Sequence, residues 1–189
     1  MAIPLPLMAR AEIEGMLEET RIGSLPGVRV TPEADWHITL KFLGDVPEEK
    51  IELVKGALEI SVSKMEEAKP LKVELESLAY GPNKQEPRMV WVKGSQRSSE
   101  VLGKFRDIFN KELEMGGVRV EKDNRTFQTH VTVARFGGEI PRNLPALPVA
   151  CEALFFPEEV ALMESCLSPS GAEYVSLHSI GVDRRKGFS

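Results

Sequence analysis

Trp36-His37-Ile38-Thr39-Leu40-Lys41-Phe42-Leu43-Gly44 returns later in the chain as Thr129-His130-Val131-Thr132-Val133-Ala134-Arg135-Phe136-Gly137. Both stretches read His–apolar–Thr–apolar, and in each a glycine falls seven residues after the histidine. The chain holds three histidines, and two of them sit in this shared context. Alternating apolar and polar residues mark a half-buried strand, on which residues i and i+2 share a face. His37 and Thr39 therefore point one way, as do His130 and Thr132, while Ile38, Leu40, Val131 and Val133 point into apolar packing. Two homologous lobes facing each other about a pseudo-twofold axis bring two imidazoles and two hydroxyls to one cleft.

Two histidines can serve as base and acid on opposite sides of a reacting centre. Threonine hydroxyls can donate to developing negative charge. Neither motif has an acidic pair at metal-ligand spacing beside it, the chain carries no glycine-rich phosphate loop, and no cysteine or serine stands out as a nucleophile. Water activated by histidine is the economical nucleophile. The chemistry that fits is in-line hydrolysis of a phosphodiester, best a strained cyclic one, with no metal required. A zinc site on His37 and His130 lacks a nameable third ligand. A lone His-x-Thr on a strand usually reads as a structural histidine, and the repeated context sets these two apart.

The frame around the motifs is that of an ordinary globular chain. It has 189 residues, 42% apolar and 28% charged, near globular averages. No window approaches the roughly 18 apolar residues of a membrane span, and Pro4 and Pro6 break an N-terminus that lacks a basic leader. A soluble, cytoplasmic protein is expected. The net charge of −5 argues against a broad basic surface for nucleic-acid backbone, while leaving room for recognition of a single phosphate or RNA end. Cys151 and Cys166 lie in apolar, strand-like segments and read as buried thiols of a reducing compartment.

Helical spacing predicts helices over 8–20, 47–60 and 99–114. The second opens with Pro47-Glu48-Glu49 and has Ile51, Val54, Leu58 and Leu53 as its candidate apolar face. The third is capped by Ser98 or Ser99 and stopped by Gly116-Gly117. Strands are expected over 28–30, 37–43, 71–78, 89–92, 130–136, 149–155, 160–167 and 174–182. Only Met1-Ala2-Ile3 precede Pro4, so an opening strand before the first helix is short, or the chain begins late. The proline-bearing stretch 141–148 reads as a connector. Strands and helices in this mixed order imply an α+β fold with a mainly antiparallel sheet.

The two segments resemble the paired His-x-Thr-x signatures of the 2H phosphoesterase superfamily. Within it the chain is most similar to the RNA 2′,3′-cyclic phosphodiesterases, also called 2′-5′ RNA ligases. The resemblance includes the helix after the first motif, the strand Met89-Val90-Trp91-Val92, the approach Arg125-Thr126-Phe127-Gln128-Thr129 and the closing strand 174–182. It departs at the front, where members have a fuller apolar strand. It implies one domain over residues 1–189, bilobal, with two pseudo-twofold related lobes of mainly antiparallel sheet flanked by helices. Each lobe carries one motif, at 37–40 and 130–133, and the active-site cleft lies between them. It implies hydrolysis of RNA 2′,3′-cyclic phosphate ends to 2′-phosphomonoesters by cleavage of the bond to O3′, without cofactor or metal, and in some members reversible 2′-5′ ligation. The expected partners are RNA ends such as those of tRNA fragments, or small cyclic nucleotides, and the expected state is a monomer with no membrane partner. The competing reading is a non-catalytic module that binds a nucleotide or RNA end in the same cleft.

In the roles that the resemblance implies, His130 activates water, His37 protonates the leaving O3′, and Thr39 and Thr132 hold the non-bridging phosphate oxygens; the symmetry of the motifs permits the two histidines to swap. Arg135 is a candidate phosphate contact, although strict alternation puts it on the opposite face from His130, so a twist, bulge or strand end must help. Phe42 is the aromatic suited to stack on the terminal base, with a core position as its alternative. Phe136 and Trp36 read as packing, Lys41 and Arg125 as surface, and His178 as structural or exposed. The basic tail from Asp183 to Ser189 reads as a mobile end.

Overall fold

Alternation in the strand-like runs resolves into one antiparallel sheet, described by a computed structural model over residues 1–66, 71–83, 86–119, 125–138, 144–147, 153–168 and 171–182. The elements are β1 (Ala2–Pro4), α1 (Leu7–Thr20), β2 (Val28–Val30), β3 (His37–Thr39), α2 (Ile51–Glu66), β4 (Val73–Gly81), β5 (Met89–Gly94), α3 (Gln96–Met115), β6 (His130–Phe136), β7 (Ala153–Phe155), β8 (Glu159–Ser168) and β9 (Gly171–Gly181). The sheet runs β7-β4-β5-β6-β3-β1-β8-β9, with β2 also paired to β6.

The fold is the expected two-lobed α+β, and its midline is the pairing of β6 with β3. On one side lie β5, β4 and β7, and on the other β1, β8 and β9. In each half a strand leads through a helix to a motif strand beside it: β1-α1 to β3, and β5-α3 to β6. The sheet is strongly curled. β9 lies three strands from β3, about 14 Å away in a flat sheet, yet the Tyr174 ring of β9 meets the His37 ring of β3 at 4.6 Å.

The opening strand has three residues and is central. Ala2–Pro4 pairs with Thr39–His37 on one side, and Ala2 pairs with Ala161 of β8 on the other. Helix α1 follows and buries Ile13, Met16 and Leu17. α2 is preceded by a 3₁₀ turn over Glu48–Lys50 and buries Val54, Ala57, Leu58 and Val62, whereas Leu53 faces outward. α3 buries Leu102, Phe105, Phe109 and Leu113. No helix among the described residues is long and apolar enough to cross a membrane.

Three expectations are corrected. The cap of α3 is Ser95, whose Oγ accepts from the Ser98 amide at 3.0 Å. Ser98 and Ser99 instead turn their hydroxyls to other strands, accepting from the Glu74 amide at 2.8 Å and the Thr129 amide at 3.0 Å. Expected to run to Leu43, the first motif strand ends at Thr39, because the Leu40 and Lys41 amides both turn to the single carbonyl of Met1. Cys166 is exposed on β8 rather than buried. Cys151 with the rest of 148–152, half of the 141–148 connector and the tail from Asp183 lie outside the described residues.

Replacing Ser95 with Ala removes the cap of the helix that precedes β6. It should cost about 1 kcal/mol of stability, read as a lower urea midpoint at unchanged slope.

Candidate active site

Ile38 of β3 pairs with Val131 of β6 in antiparallel register. Continued by one residue each way, that register sets His37 opposite Thr132 and Thr39 opposite His130, all on one face. The four side chains line one cleft of about 100 Å³, together with Arg29, Thr31, Pro32, Asp35, Arg135 and Tyr174. The two segments that read alike in sequence are therefore neighbours across the twofold.

Both histidines are held in the same way. His37 Nδ1 lies 2.7 Å from the carbonyl of Asp35, and His130 Nδ1 lies 2.8 Å from the carbonyl of Gln128, each two residues upstream. A carbonyl only accepts, so Nδ1 carries the proton and Nε2 is the atom left to gain or lose one. In the neutral ring His37 Nε2 accepts from the Thr39 hydroxyl at 3.0 Å. The Thr132 hydroxyl instead lies 4.0 Å from Met89 Sδ. Each ring also rests on an aromatic, Tyr174 edge-on against His37 and Trp91 tilted over His130 at 4.4 Å. Gly81 makes room for Trp91, since a Cβ there would run into the indole.

Burial is the main force holding both imidazoles below their ordinary pKa. At His37 the Asp35 carbonyl and carboxylate oppose it, while the N-terminal ammonium and Arg135 add to it. At His130 the Gln128 carbonyl opposes it and Lys93, its register partner on β5, adds to it.

Arg135 reaches this face through a β-bulge. On β5, Val90 pairs with Ala134 and the next residue, Trp91, pairs with Thr132, so Val133 is the extra residue on β6. Val133 and Ala134 are both fully buried, which resets the alternation and turns Arg135 back to the cleft. Its Nη1 lies 3.4 Å from Met89 Sδ. The first motif does the same by another route. Leu40 and Lys41 are both buried, and Phe42 then emerges 77% exposed. Phe42 lines a wider groove of about 540 Å³ with Tyr174 and Leu177, and this groove joins the cleft at His37 and Thr39. In both motifs the third residue after the threonine breaks alternation and faces the site.

The chain is similar to known phosphoesterases. The model of the LigT-like phosphoesterase family matches residues 3–91. An RNA 2′,3′-cyclic phosphodiesterase of Archaeoglobus fulgidus is 29% identical over 181 residues, 94% of this chain and 96% of the relative. Another of that name, from Thermus thermophilus, is 29% identical over 98% of this chain and 90% of its own. The solved structure of TT0787 from Thermus thermophilus superposes with a TM-score of 0.74 at 26% identity, covering 100% of this chain and 97% of that one.

The chain is similar to the LigT-like phosphoesterases.

Five of the six residues singled out from sequence, His37, Thr39, His130, Thr132 and Arg135, line one cleft, and Phe42 lies on the adjoining groove. Lys41, expected on the surface, is 7% exposed, because the strand ends before it. Trp36 is buried, with Nε1 donating to the Thr31 carbonyl at 2.9 Å. Phe136 is half-buried against the core, as expected. His178 is structural, its Nε2 3.2 Å from Glu59 of α2. Arg125 is exposed and does not line the cleft. Tyr174, Trp91, Met89 and Arg29 were not singled out as site residues. Their strands were legible, but their closeness to the motifs comes from pairing and curl. Among the described residues no three His, Cys, Asp or Glu side chains cluster to hold a metal.

Proton NMR titration should place both imidazole midpoints below about 6.5. Arg135→Gln removes a positive charge that opposes protonation of His37, so the His37 midpoint should rise.

Proposed function

We propose that this protein hydrolyses RNA 2′,3′-cyclic phosphate ends to 2′-phosphomonoesters by histidine acid–base catalysis without a metal. The observation that carries the reading is the convergence of two identically held imidazoles and two hydroxyls about a local twofold. The names of relatives that align along nearly the whole chain support the same substrate class.

In this reading a cyclic phosphate sits between the histidines, with its non-bridging oxygens on the Thr39 and Thr132 hydroxyls and on Arg135. His130 Nε2 takes a proton from water as the water oxygen attacks phosphorus in line. The P–O3′ bond breaks on the far side, and O3′ takes the proton from His37 Nε2. The products are a 2′-phosphomonoester and a free 3′-hydroxyl. His130 ends protonated and His37 neutral, and exchange with solvent resets them. A 5′-hydroxyl in place of water forms a 2′-5′ linkage by the same steps, and ends of tRNA fragments are natural substrates for either course.

The charges differ at the two histidines. Lys93 beside His130 supports a neutral base. At His37 the Asp35 carboxylate supports a protonated acid, while the N-terminal ammonium and Arg135 oppose that proton. A bound phosphate anion offsets the arginine, so substrate itself promotes protonation of His37. Phe42 and Tyr174 flank the groove beside His37, where the terminal base can stack.

The test is an RNA ending in a 2′,3′-cyclic phosphate, incubated in chelator, with the terminal phosphate identified. A 2′-phosphate should form. His37→Ala and His130→Ala should each lower kcat about 10²–10⁴-fold. A 3′-phosphate product reverses the leaving group, and saturable binding without turnover identifies a binding module instead. Since one imidazole must be neutral and the other protonated, kcat/KM should follow a bell. With both pKa values lowered in the free protein, its maximum should lie on the acid side of about 6.5.

A further inference from the structure

Trp91 takes no part in the reaction above, yet its ring lies against the histidine proposed as base. On β5 it pairs with Thr132 of β6, and Lys93, two residues on, pairs with His130. Trp91 and Lys93 therefore share the sheet face that carries His130, one diagonal to it and one opposite. The bulge at Val133 falls between the Val90–Ala134 and Trp91–Thr132 pairs. The break that turns Arg135 to the cleft thus also sets the register of Trp91 against His130.

The two ring centroids are 4.4 Å apart and the planes meet at 36°, closer to an offset stack than to an edge contact. β4 gives the indole room with two small residues. Ala79 is its register partner, and a Cβ on Gly81 would run into Cε3, Cδ2 and Cζ3. The indole so spans from Gly81 of β4 to His130 of β6. Its Nε1 is buried with no hydrogen-bond partner among the described residues. A buried unpaired donor is destabilising, and phenylalanine or leucine would carry none. What tryptophan offers here is its face, the strongest cation-binding surface among side chains.

A cation within about 6 Å of an aromatic centroid is attracted to the ring face, and neutral His130 gains little from that. In the proposed reaction His130 Nε2 takes a proton from the nucleophile, and its ring becomes a cation beside the indole. An interaction that strengthens only as the transition state forms raises kcat rather than tightening substrate binding. It also resolves a conflict at His130. Burial and the Lys93 ammonium hold the resting ring neutral, which suits a base before it acts and opposes the proton it must then accept. The indole favours that proton without a counter-anion, whereas a carboxylate there would protonate the base too early. Among the described residues Lys93 is the charge acting on His130, and the other charged or titratable groups lining the cleft are Arg29, Asp35, His37, Arg135 and Tyr174. His37, which gives up its proton, meets the Tyr174 ring at 71° instead.

We infer that Trp91 is a positioning residue that acts through His130: its indole holds the imidazole in place and stabilises the imidazolium formed as the nucleophile is deprotonated. The inference rests on the proposed activity, but two of its three readouts do not need turnover.

The first readout is fluorescence. An imidazolium quenches indole emission more than a neutral imidazole does. Emission of the unaltered protein, and of Trp36→Phe in which Trp91 is the remaining tryptophan, should fall as pH drops through the His130 midpoint. His130→Gln should remove that step and His37→Gln should keep it. The second readout is proton NMR. Trp91→Leu should lower the His130 midpoint, and Trp91→Phe should lower it less. A ring that merely kept water off would do the opposite, because loss of burial raises the midpoint. The third is kinetics on an RNA ending in a 2′,3′-cyclic phosphate. Trp91→Leu should lower kcat about tenfold with KM within about twofold, and Trp91→Phe should restore part of the loss. A raised His130 midpoint in Trp91→Leu, a fluorescence step that survives His130→Gln, or a loss confined to KM overturns the inference. If no RNA end turns over, the proposed activity fails, and the two titrations alone decide the role of Trp91.

Discussion

Ile38 and Val131 face each other across the ladder between β3 and β6, and that one antiparallel pairing determines where everything else in the cleft lies. An antiparallel pair has a local twofold between its opposed residues. When the flanking residues on both strands are His and Thr, the twofold converts one repeated motif into a closed set of two imidazoles and two hydroxyls. A slip of one residue would turn one histidine to the core and bring Ile38 or Val131 into the cleft. The burial of both residues at 0% exposure makes such a slip costly. The serines at the start of α3 reinforce the register. Ser99 Oγ holds the amide of Thr129, and the Gly94 amide donates to the Thr129 carbonyl, so the residue before His130 is tied to both the helix and β5.

The symmetry holds for the paired motif residues and is broken in their surroundings. Each histidine gives Nδ1 to the carbonyl two residues upstream, a consequence of the same strand geometry on both sides. Beyond that, His37 sees a carboxylate, a tyrosine edge and its own threonine, whereas His130 sees a lysine and an indole face. The proposed acid–base mechanism requires a difference between the two rings, because one must release the proton that the other does not hold. The twofold supplies opposed positions and the neighbouring strands supply different surroundings.

Much of this was legible in the sequence, and what was not has a common cause. The His-x-Thr repeat, the amphipathic face of α3 and the alternating run of β6 are local patterns, and they appear where local rules place them. Arg135 and Phe42 follow a rule that no single strand displays. Each comes three residues after its threonine, and each needs two consecutive buried residues to reach the site. On β6 that is a bulge against β5, and on the first motif it is a capture of two amides by one carbonyl. The same break explains why Lys41 is buried. Tyr174 and Trp91 meet the histidines across strands, and for Tyr174 across the curl of the whole sheet. The exposure of Cys166 is likewise a matter of which face of β8 is covered.

The net charge of −5 and the basic cleft are compatible because they act over different distances. At physiological salt the screening length is about 8 Å, so a bound phosphate responds to Arg135 and the histidines rather than to acids on remote helices. A long polyanion laid over the surface would meet those acids directly. The same charge balance therefore attracts a chain end that enters the cleft and repels a duplex that lies across it. The cleft reinforces the distinction, since about 100 Å³ between the motif strands admits a phosphate and little more. In the proposed function, selection for an RNA end is in this sense a property of the whole surface, with the attractive part confined to the few residues that the β3–β6 pairing and its bulge bring together.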